Sequence, residues 1–135
     1  MNRRTFLAST AAVALLPLGL QAAEPLLYTP GSAEAAMDEG KIVLLDFWAS
    51  WCTTCAAQER VLTALKAENP AYEQKIAFYK VDWDLYAKDT LAMELRIPRR
   101  STLVLLKGRE ELGRIVAGTS KRDIKALLDT ALAAS

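Results

Sequence analysis

Histidine is absent from this chain of 135 residues, and cysteine occurs only twice, at Cys52 and Cys55. Without histidine, the chain cannot build a Ser-His-Asp or Cys-His catalytic group, or a zinc site with imidazole ligands. An excess of charge is also missing, because 17 basic residues stand against 16 acidic ones and give a net charge of +1. This balance gives no reason to expect a nucleic-acid partner.

A long uncharged run lies at the N-terminus. The basic start MNRR is followed over residues 6–20 by an uncharged, mostly apolar stretch and then by small residues. This pattern is typical of a secretory signal peptide, and the stretch is shorter than the roughly 20 residues of a membrane-spanning helix. We expect residues 1–22 to be a cleaved signal, of the Sec or the twin-arginine type, and residues 23–135 to form one domain in the periplasm.

The rest of the chain alternates between helix-like and strand-like patterns. A short strand and a helix capped by Ser32 are predicted first. The nearly continuous apolar run KIVLLDFWA then predicts a strand that is buried on both faces. Residues 52–69 predict a helix with an apolar side and with Gln58 and Lys66 on its polar side.

The second half of the sequence predicts two more buried strands, KIAFYKVD and TLVLL, with a helix or a pair of turns between them. A tight turn at residues 107–110 then leads to an antiparallel strand, and a final helix begins at Ser120. This order of elements predicts an α/β fold with a mixed central sheet and helices on both faces.

The two cysteines lie where a buried strand gives way to a helix. Cys52 opens the helix, where unpaired N–H groups and the helix dipole favour a thiolate, and Cys55 lies one turn further along the same face. A structural disulfide across so short a loop would add little stability, and a metal site needs more ligands than two thiolates. The spacing therefore indicates a reactive dithiol, and a structural disulfide or half of a metal site are the alternatives.

The segment VLLDFWASWCTTC resembles the strand and the Trp-Cys-x-x-Cys site of the thioredoxin family, with two threonines in place of the usual Gly-Pro. TLVLLKGRE and VAGTSKRDIKALLDTAL are similar to later segments of that family, so the resemblance covers about residues 26–133. It implies a thioredoxin-like fold and a thiol–disulfide oxidoreductase that needs no metal or cofactor beyond the dithiol. It also implies disulfide-containing partner proteins and a membrane electron donor for a protein that we expect to be a monomer.

The resemblance assigns roles to single residues as well. Cys52 would attack the partner disulfide, and Cys55 would resolve the mixed disulfide. Asp46 matches the buried acid of the family, and it would accept a proton because burial raises the pKa of a carboxyl. The alternative is a buried acid that a partner merely neutralises. Lys80 matches the lysine that accompanies this acid, and Trp51 is expected on the surface that docks the partner protein.

One loop departs from the family pattern. In LRIPRRSTLVLL the position of the family's cis-proline falls on Ser101, because Pro98 comes three residues too early; the alternative is that RRS is an insertion and Pro98 is the cis-proline. A cis bond before serine costs about 2.5–4 kcal/mol, so we expect a trans or reshaped loop. Arg100 would bring positive charge to the thiols, or would point into water together with Arg99. The altered loop leaves a second function open, a binding module that holds a metal or a partner chain through the thiols without turnover.

Overall fold

The computed structural model describes Ala12, Ala14 and residues 23–135, so the predicted signal segment lies almost entirely outside the described residues. The strands are β1 (Leu26–Leu27), β2 (Ile42–Trp48), β3 (Ala77–Asp82), β4 (Thr102–Lys107) and β5 (Glu110–Val116). The helices are α1 (Ser32–Asp38), α2 (Thr53–Glu68), α3 (Ala71–Lys75), α4 (Trp83–Tyr86), α5 (Thr90–Glu94) and α6 (Lys121–Ala134). Within this part of the chain, no helix is both long enough and apolar enough to cross a membrane.

The strands form one mixed sheet in the order β1-β3-β2-β4-β5. β3 pairs in parallel with both β1 and β2, whereas β4 pairs antiparallel with β2 and with β5. The predicted α/β fold, with a mixed central sheet and helices on both faces, is confirmed. β2 is hydrogen-bonded along both of its edges, and helices cover both of its faces, which explains why its sequence is apolar almost throughout.

The side chains of β2 alternate between the two faces of the sheet. One face packs against α1 and α5 and buries Val43, Leu45 and Phe47. The other face packs against α2, α3 and α6, and Leu44 belongs to it. Asp46 is two residues beyond Leu44, so the same alternation places its carboxyl on the α2 side. The fold thus brings the buried acid under the helix that begins at the cysteines.

Helix α2 differs from its prediction on one point. Gln58 and Lys66 were placed on the polar side, yet Gln58 is fully buried and Lys66 is only 6% exposed. Gln58 lies three residues after Cys55 and four before Leu62, so it falls on the stripe that faces the sheet. The prediction gave too much weight to residue type and too little to this spacing.

Two smaller differences concern the starts of helices. Ser32 does not cap α1 but is its first residue, because Gly31, with φ of 89°, takes the cap position. The Ser32 hydroxyl instead accepts the Thr29 N–H at 3.0 Å and donates to the Thr29 carbonyl at 2.8 Å. The sequence analysis also did not predict α3, a single helical turn that begins after Pro70. At the last helix, the Ser120 hydroxyl accepts the Asp123 N–H at 3.3 Å, as a cap should.

Candidate active site

The two cysteines form a disulfide at the start of α2. Cys52 is the N-cap residue, and its Sγ accepts the backbone N–H of Cys55 at 3.1 Å. Cys52 is 4% exposed and Cys55 is fully buried, so Cys52 is the more exposed of the two residues. Both sulfurs pack with Ala49, Trp48 and Trp83, which form a small apolar cluster around them. Trp83 therefore has a packing role beside the site.

Ser101 lies directly against the disulfide. Its Oγ is 3.1 Å from the Sγ of Cys52 and 3.1 Å from the Sγ of Cys55. The structure thus brings Ser101 to the position that the sequence analysis assigned to it, whereas Pro98 is exposed. No peptide bond among the described residues is cis, and Ser101 instead has a left-handed conformation with φ of 63°.

Gln58 ties this loop to α2. Its Nε2 donates to the carbonyl of Ser101 at 2.9 Å and to the carbonyl of Gly118 at 2.9 Å. The backbone N–H of Ala117 donates to the same Ser101 carbonyl at 2.8 Å. The sequence analysis missed Gln58, although its spacing from Cys55 could have revealed it. A side chain on the cysteine helix therefore fixes the loop that faces the sulfurs.

Asp46 is 8% exposed, and its Oδ1 has no hydrogen-bond partner. Burial raises the pKa of Asp46 to about 7, and the nearby positive charge of Lys80 opposes part of that rise. Lys80 is the register partner of Asp46 on β3, as the sequence analysis expected. Its ammonium, however, donates to the Glu59 carboxylate at 3.2 Å and lies 4.1 Å from the centre of the Trp48 ring. The positive charge of Lys80 therefore only partly offsets the charge of the Asp46 carboxylate, and Asp46 can exchange a proton near neutral pH.

A cavity of about 100 Å³ lies beside Asp46, and its wall includes Glu59, Lys66 and Lys80. Its volume and polar lining are sufficient for water. Lys66 was missed by the sequence analysis; its ammonium lies 3.7 Å from the Glu73 carboxylate. Burial lowers the pKa of Lys66. The cavity gives Asp46 room for water beside its carboxyl.

The surface beside the disulfide is formed by an exposed tryptophan and an arginine. Trp51 is 57% exposed, and its Nε1 donates to Asp84 Oδ2 at 2.9 Å. The Arg100 guanidinium lies 4.2 Å from the centre of the Trp51 ring, a cation–π arrangement. Arg100 is half-buried rather than fully in water, and the Arg99 side chain donates to its carbonyl at 3.0 Å. An incoming protein would meet an aromatic ring with a positive charge on it.

Taken together, these groups suit thiol–disulfide exchange. The start of α2 stabilises a thiolate at Cys52, and a buried acid with a pKa near neutrality lies under the same helix. Among the described residues, no group of three or more histidine, cysteine, aspartate or glutamate side chains is placed to hold a metal ion.

Comparisons with known proteins agree with this geometry. A family model described as Thioredoxin matches residues 29–130. A thioredoxin H-type of Brassica oleracea is 34% identical over 95 residues, which cover 70% of this chain and 72% of the relative. A thioredoxin of Mycolicibacterium smegmatis is 30% identical over 96 residues, covering 71% and 83% of the two chains. The crystal structure of Trxlp from Edwardsiella tarda superposes with a TM-score of 0.67 at 31% identity, covering 78% of this chain and 98% of the other. The chain therefore belongs to the thioredoxin family, and it is a protein-disulfide oxidoreductase that acts on disulfide-containing proteins.

Proposed function

We propose that this oxidoreductase works as a reductase of partner proteins in the periplasm, with Cys52 as the nucleophile and Cys55 as the resolving thiol. The observation that carries this proposal is the position of Cys52 at the N-cap of α2. There its sulfur accepts a backbone N–H at 3.1 Å, and Cys52 is the more exposed of the two cysteines. Both features favour a thiolate that can attack a disulfide of another protein.

Asp46 supports the second step. Once Cys52 is joined to the partner, the Cys55 thiol must lose its proton before it can attack the Cys52 sulfur. The pKa of Asp46 is raised to about 7 by burial, so the carboxyl can take up this proton near neutral pH, directly or through water. Water in the cavity next to Asp46 would take this proton up again. A proton acceptor on the sheet face that α2 covers favours rapid release of the reduced partner.

Partner proteins would dock on the surface formed by Trp51 and Arg100. The exposed ring provides apolar area, and the guanidinium on its face favours partners with acidic residues near their disulfide. The Trp51 ring is held in place by the Asp84 carboxylate, so little side-chain freedom is lost on binding. We expect the protein to act as a monomer.

Export and the electron supply rest on sequence and chemistry. The signal-like segment at residues 1–22 supports delivery to the periplasm, where disulfides persist. A reductase in that compartment has to be reduced again, so we propose a membrane electron donor that supplies two electrons per cycle. Separation of periplasmic and cytoplasmic fractions, with N-terminal sequencing of the mature chain, tests both expectations about the segment. Recovery of the uncleaved chain in the cytoplasm would contradict them.

The direction of the reaction is tested by reduction of insulin with a dithiol donor and by equilibration with glutathione. We expect insulin reduction and a reduction potential near that of reducing thioredoxins, about −270 mV. A potential near about −120 mV would indicate an oxidant and would contradict the proposed direction. The binding-module alternative predicts tight metal binding by the reduced protein together with no insulin reduction, so a metal titration belongs in the same experiment.

A further inference from the structure

The hydroxyl of Ser101 faces both reacting sulfurs, and its oxygen lies 3.1 Å from each. A serine hydroxyl has one hydrogen to donate and rotates freely about its C–O bond. We propose that Ser101 is a catalytic residue whose hydroxyl donates to whichever sulfur carries the negative charge, and that Gln58 is the positioning residue that holds it there. This inference needs the dithiol exchange itself, but neither export nor the identity of the electron donor.

The backbone of Ser101 is held in an unfavourable conformation. Its φ of 63° lies in the left-handed region, which residues other than glycine rarely adopt unless the surroundings impose it. Three hydrogen bonds impose it here. The Ser101 N–H donates to the Phe47 carbonyl at 2.7 Å, and the Ser101 carbonyl accepts from the Ala117 N–H at 2.8 Å and from Gln58 Nε2 at 2.9 Å. Strand β2, the residue that follows β5, and helix α2 thus all bond to Ser101, and its hydroxyl faces the disulfide.

In the first half of the reaction, the hydroxyl would serve Cys52. The Cys52 thiolate attacks the partner disulfide, forms one new S–S bond and releases the first partner thiolate. Before the attack, this thiolate accepts the Cys55 N–H and the Ser101 hydroxyl, both at 3.1 Å in the oxidised geometry. Hydrogen bonds to a charged acceptor are the stronger ones, so the second donor lowers the pKa of the Cys52 thiol.

In the second half, the same hydroxyl would turn to Cys55. The Cys52 sulfur is now bonded to the partner and carries no charge, while the Cys55 thiol gives its proton to the Asp46 carboxylate. The Ser101 hydroxyl then stabilises the Cys55 thiolate, which attacks the Cys52 sulfur. The internal disulfide forms again and the second partner thiolate leaves, so two electrons have passed from the dithiol to the partner.

The first test removes the hydroxyl in two ways. Ser101→Gly keeps access to the left-handed conformation, and Ser101→Ala keeps a Cβ atom. Each is made in a Cys55→Ser background, and the pH dependence of Cys52 alkylation gives the thiol pKa. We expect both variants to lower the thiolate fraction at fixed pH about tenfold, which is a rise of about one unit in the thiol pKa. Ser32→Ala is the matched control, because the Ser32 hydroxyl bonds only to the Thr29 backbone.

Three results would overturn the role of Ser101. The first is a change of less than about twofold in thiolate fraction while urea unfolding shows a folded protein, since this is well below the effect of a lost charge-assisted hydrogen bond. The second is an equal shift in Ser32→Ala. The third is a shift in Ser101→Ala but not in Ser101→Gly, which would assign the effect to backbone strain. None of these results affects insulin reduction by the wild type, so they are distinct from a failure of the proposed function.

The second test isolates Gln58. Gln58→Met keeps the length of the side chain and removes both N–H donors, and its other amide atom, Oε1, has no partner to lose. We expect a rise in the Cys52 pKa that is smaller than the rise in Ser101→Gly, and no further rise in the double variant, because Gln58 acts only through Ser101. An additive rise in the double variant, or no rise in Gln58→Met, would contradict the positioning role.

Discussion

Replacing Asp46 by asparagine removes a buried carboxyl and leaves the shape of the side chain almost unchanged. Burial raises the pKa of this carboxyl from an ordinary 3.8 to about 7 in the folded protein. Between these two pH values the folded protein binds a proton that the unfolded chain has released. The contribution of Asp46 to the free energy of unfolding therefore falls as the pH rises from about 4 to about 7, and it is level on either side.

The size of this effect follows from the two pKa values. A difference of about three units at about 1.4 kcal/mol each gives about 4 kcal/mol of stability lost by the wild type across that window. The asparagine variant has no ionisable group there, although its amide remains polar and incompletely paired, at a cost of about 1–2 kcal/mol. We expect Asp46→Asn to be more stable than the wild type by about 2–3 kcal/mol at pH 8.5, and no more stable at pH 4.5.

Urea unfolding of the oxidised proteins at a series of pH values measures this difference, since disulfide-bonded cysteines do not titrate. The charges of Lys80, Glu59 and Lys66, which face the carboxyl, are present in both proteins and largely cancel in the comparison. A difference in unfolding free energy that stays constant from pH 4.5 to pH 8.5 would refute the reasoning. The variant should also slow release of the mixed disulfide about 100-fold above pH 7, where the wild-type base is ionised. Unchanged release in a single turnover would make Asp46 structural only.

The remaining predictions concern the sulfurs and the loop beside them. Cys55→Ser should accumulate mixed disulfides with partner proteins, whereas Cys52→Ser should not; equal trapping on non-reducing gels would contradict the assignment of the nucleophile. Arg100→Ala removes the cation from Trp51 and should raise the KM for an acidic disulfide peptide about threefold, because the peptide loses its attraction to an exposed opposite charge, with kcat unchanged and no rise in the KM for a basic peptide. Ser101→Pro cannot keep φ of 63° or donate to the Phe47 carbonyl, so it should lower the free energy of unfolding by at least about 2 kcal/mol. Equal stability in urea would argue against that last prediction.

Much of the fold could be predicted because its signals are local. KIVLLDFWA has the continuous apolar character of a strand that is buried on both faces, and core clusters indeed cover both faces of β2. The alternation along this strand also places Asp46 on the same face as Leu44, below the cysteine helix. The position of the acid thus follows from counting residues, whereas its pKa depends on how tightly α2 covers it.

The loop at Ser101 could be located from the sequence but not described. Its left-handed conformation depends on hydrogen bonds to the Phe47 carbonyl and from Ala117 and Gln58, which are far apart in the chain and meet only in the folded protein. The place of the Arg100 guanidinium was open for the same reason, because the Trp51 ring on which it lies comes from a different element. Interactions between distant segments leave no local sequence pattern. The sequence analysis could therefore only state alternatives for the conformation of this loop and for the direction of the Arg100 side chain.

The link between Gln58 and the Ser101 loop has a mechanical consequence. Helix α2 carries the two cysteines at its start. One turn later it carries Gln58, whose side chain is hydrogen-bonded to the facing loop. A shift of this helix on reduction would pull the loop with it, so both walls of the site move as one body. Amide hydrogen exchange at residues 101 and 117–118 should then change between the oxidised and reduced states in step with the start of α2. In Gln58→Met the two segments should respond independently, with faster exchange confined to the loop.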